Sequence, residues 1–214
     1  MHPTNFSAVS VPGEKDLTGQ KLLEAAREVL TREGISGATT REIARVAGVN
    51  EVTLFRKFHS KQGLLEAVLA QAFLPSEAAR PAPALQSGHT LQEVVLQFAA
   101  ADFERKRRNI SFMRVLVGES HRLGEQETEI IRRIFLPWKE ELAAQFVEAQ
   151  RRGLMRTDVI PALVVDQLVA MIFVGVLRAE MNCAQEYSSE AYLDACVKMV
   201  LRSIAPEPRG GEAR

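Results

Sequence analysis

The chain has 214 residues, with 27 Lys and Arg balanced by 27 Asp and Glu, and 46% of its residues are hydrophobic. These proportions are typical of a globular protein of one or two domains, and they exclude collagen-like, disordered and disulfide-stapled chains. A net charge of zero excludes a protein that is basic over its whole surface and coats DNA. It leaves room for a local basic patch, because net charge does not say where the charges lie.

Three features predict a cytoplasmic protein. The first sixteen residues lack the basic segment and following apolar segment of a signal peptide. The longest apolar run, residues 168–177, is shorter than the about 20 residues that span a bilayer, so no membrane partner is expected. Cys183 and Cys196 have neither metal-ligand spacing nor the pattern of a disulfide framework, and we interpret them as buried free thiols.

Helical periodicity recurs along the chain, and strand signals are scarce. Helices are predicted, in chain order, over residues 17–33, 41–47, 50–58 and a segment after Ser60, then over 90–108, 109–123, 125–152, 159–182 and 188–204. Gly34 is expected to end the first helix, and Thr40 and Asn50 to cap the next two. Pro137 and Pro161 are expected to kink or bound their helices.

Residues 39–58 comprise two short helices joined by a turn that contains glycine, the pattern of a helix-turn-helix. At about 100° per residue, Leu54 and Phe58 form the buried pair of the second helix, and Val52 and Arg56 face the other way. Such an outer face can enter a major groove, where a guanidinium recognises guanine and a valine contacts a thymine methyl. Flanking residues suited to contacting phosphates are Thr53, Phe55, Lys57 and Lys61.

The charges near this motif agree modestly with DNA binding. Residues 17–73 contain eight Lys or Arg and six Glu, a net charge of +2, and four of the cations are at positions 41, 56, 57 and 61. On charge alone, an ordinary solvated helical face explains them equally well.

The segment from about residue 17 to 73 resembles the DNA-binding domain of TetR-family transcriptional regulators. The matching residues are Thr39-Thr40-Arg41-Glu42-Ile43-Ala44, Ala47-Gly48-Val49, Thr53-Leu54-Phe55, Phe58, Ser60-Lys61 and Leu64-Leu65. They cover about a quarter of the chain, and the remainder is similar to the family in length and helical character. The resemblance implies an all-α fold, with an N-terminal three-helix helix-turn-helix domain and a C-terminal helical ligand-binding and dimerisation domain.

The expected organisation is a flexible arm over residues 1–15, the DNA-binding domain over 16–76, a linker over 77–89, an effector-binding and dimerisation domain over 90–205, and a disordered tail over 206–214. The linker is inferred from its proline and Ser-Gly content.

The resemblance also implies the DNA contacts. Thr40 and Lys61 correspond to phosphate-binding residues, and Arg41 can reach a base or a phosphate. Phe55 replaces a tyrosine that contacts the backbone, so a hydroxyl–phosphate hydrogen bond is lost. The full expected set is Thr40, Arg41, Asn50, Glu51, Val52, Thr53, Phe55, Arg56, Lys57 and Lys61. Val52 lies at a position where glycine is common, and Glu51 is acidic. The resemblance therefore does not identify which bases are contacted.

The two carboxy-terminal helices predict a homodimer. Residues 159–181 are almost continuously apolar, too hydrophobic for the surface helix of a monomer, and with residues 188–204 they can build a four-helix interface. The expected interface residues are Leu168, Ile172, Val176, Tyr192, Val197, Val200 and Leu201. A two-fold dimer predicts a palindromic DNA operator. The alternative is that both helices are simply core.

An apolar effector pocket is expected among aromatic and other apolar residues of the same region: Phe98, Phe103, Phe112, Met113, Leu116, Val117, Trp138, Phe146, Met171 and Phe173. The alternative is a plain core. Nearby polar residues that can orient a ligand are Glu119, His121, Asp166 and Gln167. The basic run at residues 105–108 is interpreted as a solvated helix end that complements the helix dipole.

These observations predict a ligand-responsive homodimeric repressor that a hydrophobic small molecule releases from a palindromic operator on double-stranded DNA. The alternative is a DNA-binding regulator whose C-terminal domain binds a protein partner. Nucleotide-binding, zinc-protease and hydrolase motifs do not occur, so no enzyme activity, catalytic residue or cofactor is expected. The four histidines have no metal-ligand spacing, so no metal site is expected.

Overall fold

The structure, a computed structural model, describes residues 11–13, 16–74, 84–181 and 186–206, and every regular element in those ranges is helical. The α-helices are α1 (Leu17–Gly37), α2 (Thr40–Val46), α3 (Glu51–Phe58), α4 (Lys61–Phe73), α5 (Leu91–Arg108), α6 (Ile110–Gly118), α7 (Glu125–Arg151), α8 (Pro161–Glu180) and α9 (Ser189–Ile204). The predicted all-α fold is therefore confirmed. The predicted arm, linker and tail lie largely outside the described residues.

Side-chain caps explain where the first four helices begin. Asp16, Asn50 and Ser60 accept hydrogen bonds from backbone N–H groups in the first turns of α1, α3 and α4. The prediction that Thr40 caps α2 is wrong by one residue. Thr39 is the cap, because it has extended backbone angles and its Oγ1 accepts a hydrogen bond from the backbone N–H of Glu42.

The end of α1 contains a sharp break at Gly34. This residue has φ 79°, in the left-handed region that glycine adopts without steric cost, so the regular helix ends here as the sequence predicts. One further helical turn carries the chain on to Gly37.

The chain forms two compact units. The amino-terminal unit comprises the described residues up to 74 together with 109–137, and the carboxy-terminal unit comprises the remaining described residues. The core of the amino-terminal unit unites residues from α1 to α4 with residues from α6 and α7, including Leu22, Leu23, Leu54, Leu69, Phe73, Phe112 and Ile134. Helix α6 and the first part of α7, which sequence reasoning placed in the second domain, therefore complete the core of the first.

In the carboxy-terminal unit, α5, α8 and α9 pack against one another. Their buried contacts include Val95, Ala99, Leu168, Ile172, Val176, Val197 and Val200. Pro161 occupies the start of α8, where its missing N–H has no cost, whereas α7 continues through Pro137. By length and composition alone α8 is apolar enough to cross a membrane, a test that core helices also pass. The shorter apolar run seen in the sequence had not indicated this.

Candidate nucleic-acid interface

A tight turn sets α3 against α2. Gly48 has φ 68°, and the backbone N–H of Val49 donates to the carbonyl of Ala44 over 3.0 Å. This reversal brings one face of α3 into the core, where Leu54 is fully buried and Phe58 is 5% exposed. The predicted buried pair is confirmed, and the geometry is that of a helix-turn-helix.

The opposite face of α3 is open to solvent. Val52 is 72% exposed and Phe55 44% exposed, and Arg56 lies beside them. Within the part of the chain that the structure describes, the Arg56 guanidinium forms no ion pair. An apolar methyl surface and an unengaged guanidinium on one exposed helix face can contact base edges in a major groove.

The side chain of Thr40 is directed towards the start of α3. Its hydroxyl donates a hydrogen bond to Oε1 of Glu51 over 2.6 Å. This contact fixes the Glu51 carboxylate beside the cap residue Asn50 and places a negative charge at the edge of the exposed face. The expected phosphate contact of Thr40 therefore competes with a hydrogen bond inside the protein.

Lys57, predicted to contact DNA, is engaged within the amino-terminal unit. Its ammonium group lies 2.7 Å from Oδ1 and 2.6 Å from Oδ2 of Asp16, the cap of α1. The hydrogen bond from Lys57 lowers the pKa of Asp16 below its usual value, and the backbone N–H of Gly19 adds to the effect. Because the pair is neutral, Lys57 is better described as an anchor between α3 and α1 than as a phosphate contact.

Two other predicted cations remain available at the surface. Arg41 is exposed near the start of α2, and Lys61 at the start of α4 lies 3.5 Å from the carbonyl oxygen of Ser36. By contrast, Arg32 and Arg45 are both hydrogen-bonded to Glu42. Arg41 and Lys61 form no ion pair within the described residues, and their phosphate contacts stay a prediction.

Glu119 has a role that sequence reasoning missed. Its Oε2 accepts hydrogen bonds from the backbone N–H groups of Ile35 (2.5 Å) and Ser36 (3.2 Å), directly after the break at Gly34. This carboxylate ties the end of α6 to the end of α1, whereas its expected role in orienting an effector stays a prediction. A separation of 84 residues leaves no local sequence signal for the contact.

The expected pocket residues divide between the two units. Phe112 and Leu116 are buried in the core of the amino-terminal unit, with Met113 packed against it, and Val117 is 52% exposed. These four do not line a site in the carboxy-terminal unit. The remaining expected residues, Phe98, Phe103, Trp138, Phe146, Met171 and Phe173, do belong to that unit.

The basic run at residues 105–108 is only partly solvated, contrary to expectation. Lys106 is 4% exposed and forms an ion pair with the buried Asp102, while Arg107 and Arg108 are exposed and pair with Glu104. The guanidinium of Arg105 lies 4.6 Å from the centroid of the Trp138 ring. Trp138 is itself buried, and among the described residues its Nε1–H has no hydrogen-bond acceptor, an arrangement that costs about 1–3 kcal/mol.

Most of the expected interface residues face inward. Five of the seven are at most 4% exposed because they form the packing between α5, α8 and α9: Leu168, Ile172, Val176, Val197 and Val200. Their side chains are already covered within the chain itself, and their assignment to an interface stays a prediction. Tyr192 is half-buried, and its hydroxyl donates to the carbonyl of Met171; Leu201 is also half-buried.

Comparison with known proteins places this geometry in a family. Residues 22–68 match the model of bacterial regulatory proteins of the tetR family. The chain is also 48% identical over 54 residues to the uncharacterized HTH-type transcriptional regulator YvkB of Bacillus subtilis (strain 168). Residues 22–68 therefore form a helix-turn-helix segment similar to that of tetR-family regulators.

The relatives differ in how much of the chain they match. The YvkB match covers 25% of this chain, which spans less than a third of the length of that relative. The HTH-type transcriptional repressor DhaR of Mycobacterium sp. (strain GP1) is 24% identical over 199 residues, 87% of this chain and 92% of DhaR. The solved structure of the flavonoid-responsive regulator FrrA has a TM-score of 0.64 at 20% identity, covering 91% of this chain and all of that chain. This last likeness concerns the fold.

Proposed function

We propose that the chain is a transcriptional regulator, a homodimeric repressor that binds a palindromic operator and is released from it by a small-molecule effector. The observation that carries the proposal is the exposed face of α3, where Val52 and Arg56 lie outward over a fully buried Leu54. A rigid helix with this face can enter a major groove. DhaR is named a transcriptional repressor and FrrA a flavonoid-responsive regulator, and these two names support repression and an effector.

The proposed dimer surface is the exposed side of α8, not its buried side. Leu163, Val174 and Met181 are 53%, 48% and 65% exposed, and the exposed Ala170 lies between them. At about 100° per residue these four side chains fall within about 40° of one another around the helix. An exposed apolar stripe of this kind favours contact with a second copy of the same helix across a two-fold axis.

Operator selection from random double-stranded DNA tests the DNA half of the proposal. The expected result is an inverted repeat with one half-site per subunit. Arg56→Ala is expected to lose discrimination at one base position, at about 1–3 kcal/mol for the lost contact. Lys21→Ala, which removes an exposed cation of α1, serves as the control and is expected to keep wild-type preference. Unchanged preference in Arg56→Ala would refute the assignment of the reading face.

Sedimentation analysis tests the dimer. Val174→Asp is expected to yield monomers with lowered operator affinity, because a charge cannot be buried in an apolar interface without a partner. Val147→Asp, at a site on α7 that is 56% exposed, is the matched control and is expected to leave the dimer intact. A Val174→Asp protein that stays dimeric would contradict the proposed surface. A wild-type protein that is monomeric, or that associates only with a different protein, would favour the alternative function, in which the C-terminal domain binds a protein partner.

A further inference from the structure

The connection between α3 and α4 contains a strained residue. His59, directly after α3, has φ 65° and ψ −34°. Every other residue with a positive φ in the part of the chain that the structure describes is a glycine: Gly34, Gly48, Gly88 and Gly153. Glycine adopts this region without steric cost, whereas a residue with a side chain does not. Position 59 therefore carries backbone strain that glycine would avoid.

Contacts on both sides hold His59 in this conformation. The backbone N–H of Ser60 donates to the carbonyl oxygen of Phe58 over 2.7 Å, which closes a γ-turn around His59. Phe58 is buried in the core, and the Oγ of Ser60 accepts the N–H of Gly63 as the cap of α4. A Cβ at Gly63 would collide with the same Phe58 carbonyl, so the chain is tightly packed on both sides of the turn. The turn is therefore fixed at both ends and has no room to relax.

The imidazole of His59 receives no compensation from the protein. The residue is exposed, and its ring forms no hydrogen bond, ion pair or aromatic contact with any residue that the structure describes. Its backbone N–H donates to the carbonyl oxygen of Phe55 over 2.8 Å, a bond that glycine would keep. A side chain that adds strain and makes no internal contact points to a contact with another molecule.

The position of His59 indicates what that molecule is. It follows the last turn of α3, whose exposed face carries Val52 and Arg56, and it lies two residues before Lys61 at the start of α4. When a recognition helix occupies a major groove, residues near its start contact base edges, and its end approaches the sugar–phosphate backbone. Phosphate oxygens are hydrogen-bond acceptors, and an imidazole has an N–H donor in either protonation state.

We propose that His59 is a further contact to operator DNA, in which its imidazole N–H donates a hydrogen bond to a phosphate oxygen beyond the end of α3. The proposal rests on the DNA binding proposed above. The γ-turn fixes the direction of the Cα–Cβ bond before DNA arrives, so binding orders no further backbone at this position. The imidazole thus lowers the stability of the free protein and raises its affinity for DNA.

Three variants of His59 separate the effect of the backbone from that of the side chain. His59→Gly removes the strain and the donor, His59→Leu removes the donor alone, and His59→Gln keeps an N–H donor. The melting temperature of the full-length protein should rise only in His59→Gly, by about 2–4 °C, because the relief of strain exceeds the entropy gained by the unfolded chain. Operator affinity, measured by fluorescence anisotropy of labelled DNA, should fall about fivefold in His59→Gly and His59→Leu, and less than about twofold in His59→Gln.

A phosphate contact also predicts the same loss for every base sequence. Across operators with single base-pair changes, His59→Leu should lower the affinity by one common factor. The control His89→Leu, which removes an exposed imidazole of the carboxy-terminal unit, is expected to keep wild-type affinity. A loss confined to one base pair, or a loss in His59→Gly alone, would overturn the phosphate contact. So would a melting temperature that falls in His59→Gly, because the residue would then not be strained.

Failure of the proposed function gives a different result. A wild-type protein that selects no operator from random DNA would refute both proposals. A wild-type protein that selects an operator, with variants whose affinity does not follow the N–H donor at position 59, would refute the His59 contact and leave DNA binding standing.

Discussion

The ammonium group of Lys57 and the carboxylate of Asp16 are joined at 2.6 Å, which ties the last turn of α3 to the cap of α1. The carboxylate also accepts the backbone N–H of Gly19, so one side chain serves two helices. The orientation of α3, the proposed reading helix, thus depends on a contact that lies away from its exposed face.

Lys57→Met is expected to lower the melting temperature while leaving the salt dependence of operator binding unchanged, because the charge of Lys57 is already neutralised by Asp16. Lys61→Met is the contrasting variant. It should keep the melting temperature and reduce the slope of log affinity against log salt by about 1, as expected when one phosphate contact is lost. Binding titrations at several salt concentrations distinguish the two. A reduced slope in Lys57→Met would show that this lysine leaves Asp16 to bind DNA.

Glu51→Gln is expected to raise operator affinity about fivefold, because it removes a negative charge that lies close to the phosphate backbone in the complex. The amide oxygen can still accept the hydrogen bond from the hydroxyl of Thr40, so the start of α3 should keep its geometry. The gain should shrink as salt is raised, since screening weakens the repulsion. A fall in affinity confined to one base position would instead show that Glu51 reads a base.

Gly34→Ala and Gly48→Ala form a matched pair for the amino-terminal unit. Both residues have positive φ, so each substitution introduces backbone strain of about 1 kcal/mol. Only at Gly34 would the new methyl also collide with the Glu119 carboxylate, whereas at Gly48 no atom of the described residues lies within 4 Å of it. Gly34→Ala should therefore cost about 1–3 kcal/mol more in free energy of unfolding. Urea unfolding measures this, and the excess should vanish in a Glu119→Ala background.

Stability in acid should depend on Glu148. Hydrogen bonds from Arg151 and Arg152 lower the pKa of this carboxyl from 4.5 to about 2. A pKa lowered by folding gives a stabilisation that is complete above the unfolded value and is lost as the pH falls towards the folded one. The urea midpoint of the wild type should therefore be higher than that of Glu148→Gln at neutral pH. The difference between the two midpoints should decrease as the pH falls from 4.5 to 2. The control variant Glu141→Gln changes an exposed Glu of the same helix. If the midpoint difference between the wild type and Glu141→Gln depended on pH in the same way, the stabilising role of Glu148 would be contradicted.

Local periodicity predicts which side chains of a helix are buried, but it does not predict which part of the protein packs over them. It was sufficient to identify Leu54 and Phe58 as the inward pair of α3, because four-residue spacing fixes their common face. The same spacing identified Leu168 and Ile172 as an apolar face, yet it cannot distinguish the core of one subunit from an interface between two. The Lys57–Asp16 and Glu119–Ile35 contacts join residues 41 and 84 positions apart, and no local pattern in the sequence indicates such pairs.

The composition of the amino-terminal core has a consequence for synthesis. Phe112, Leu116, Ile130 and Ile134 pack with the buried residues of α1 to α4. A nascent chain that ends after α4 therefore holds the reading helix but lacks part of its apolar support. The amino-terminal unit can complete its core only after residue 137 has emerged from the ribosome. Residues 1–74 therefore cannot form this core by themselves during translation.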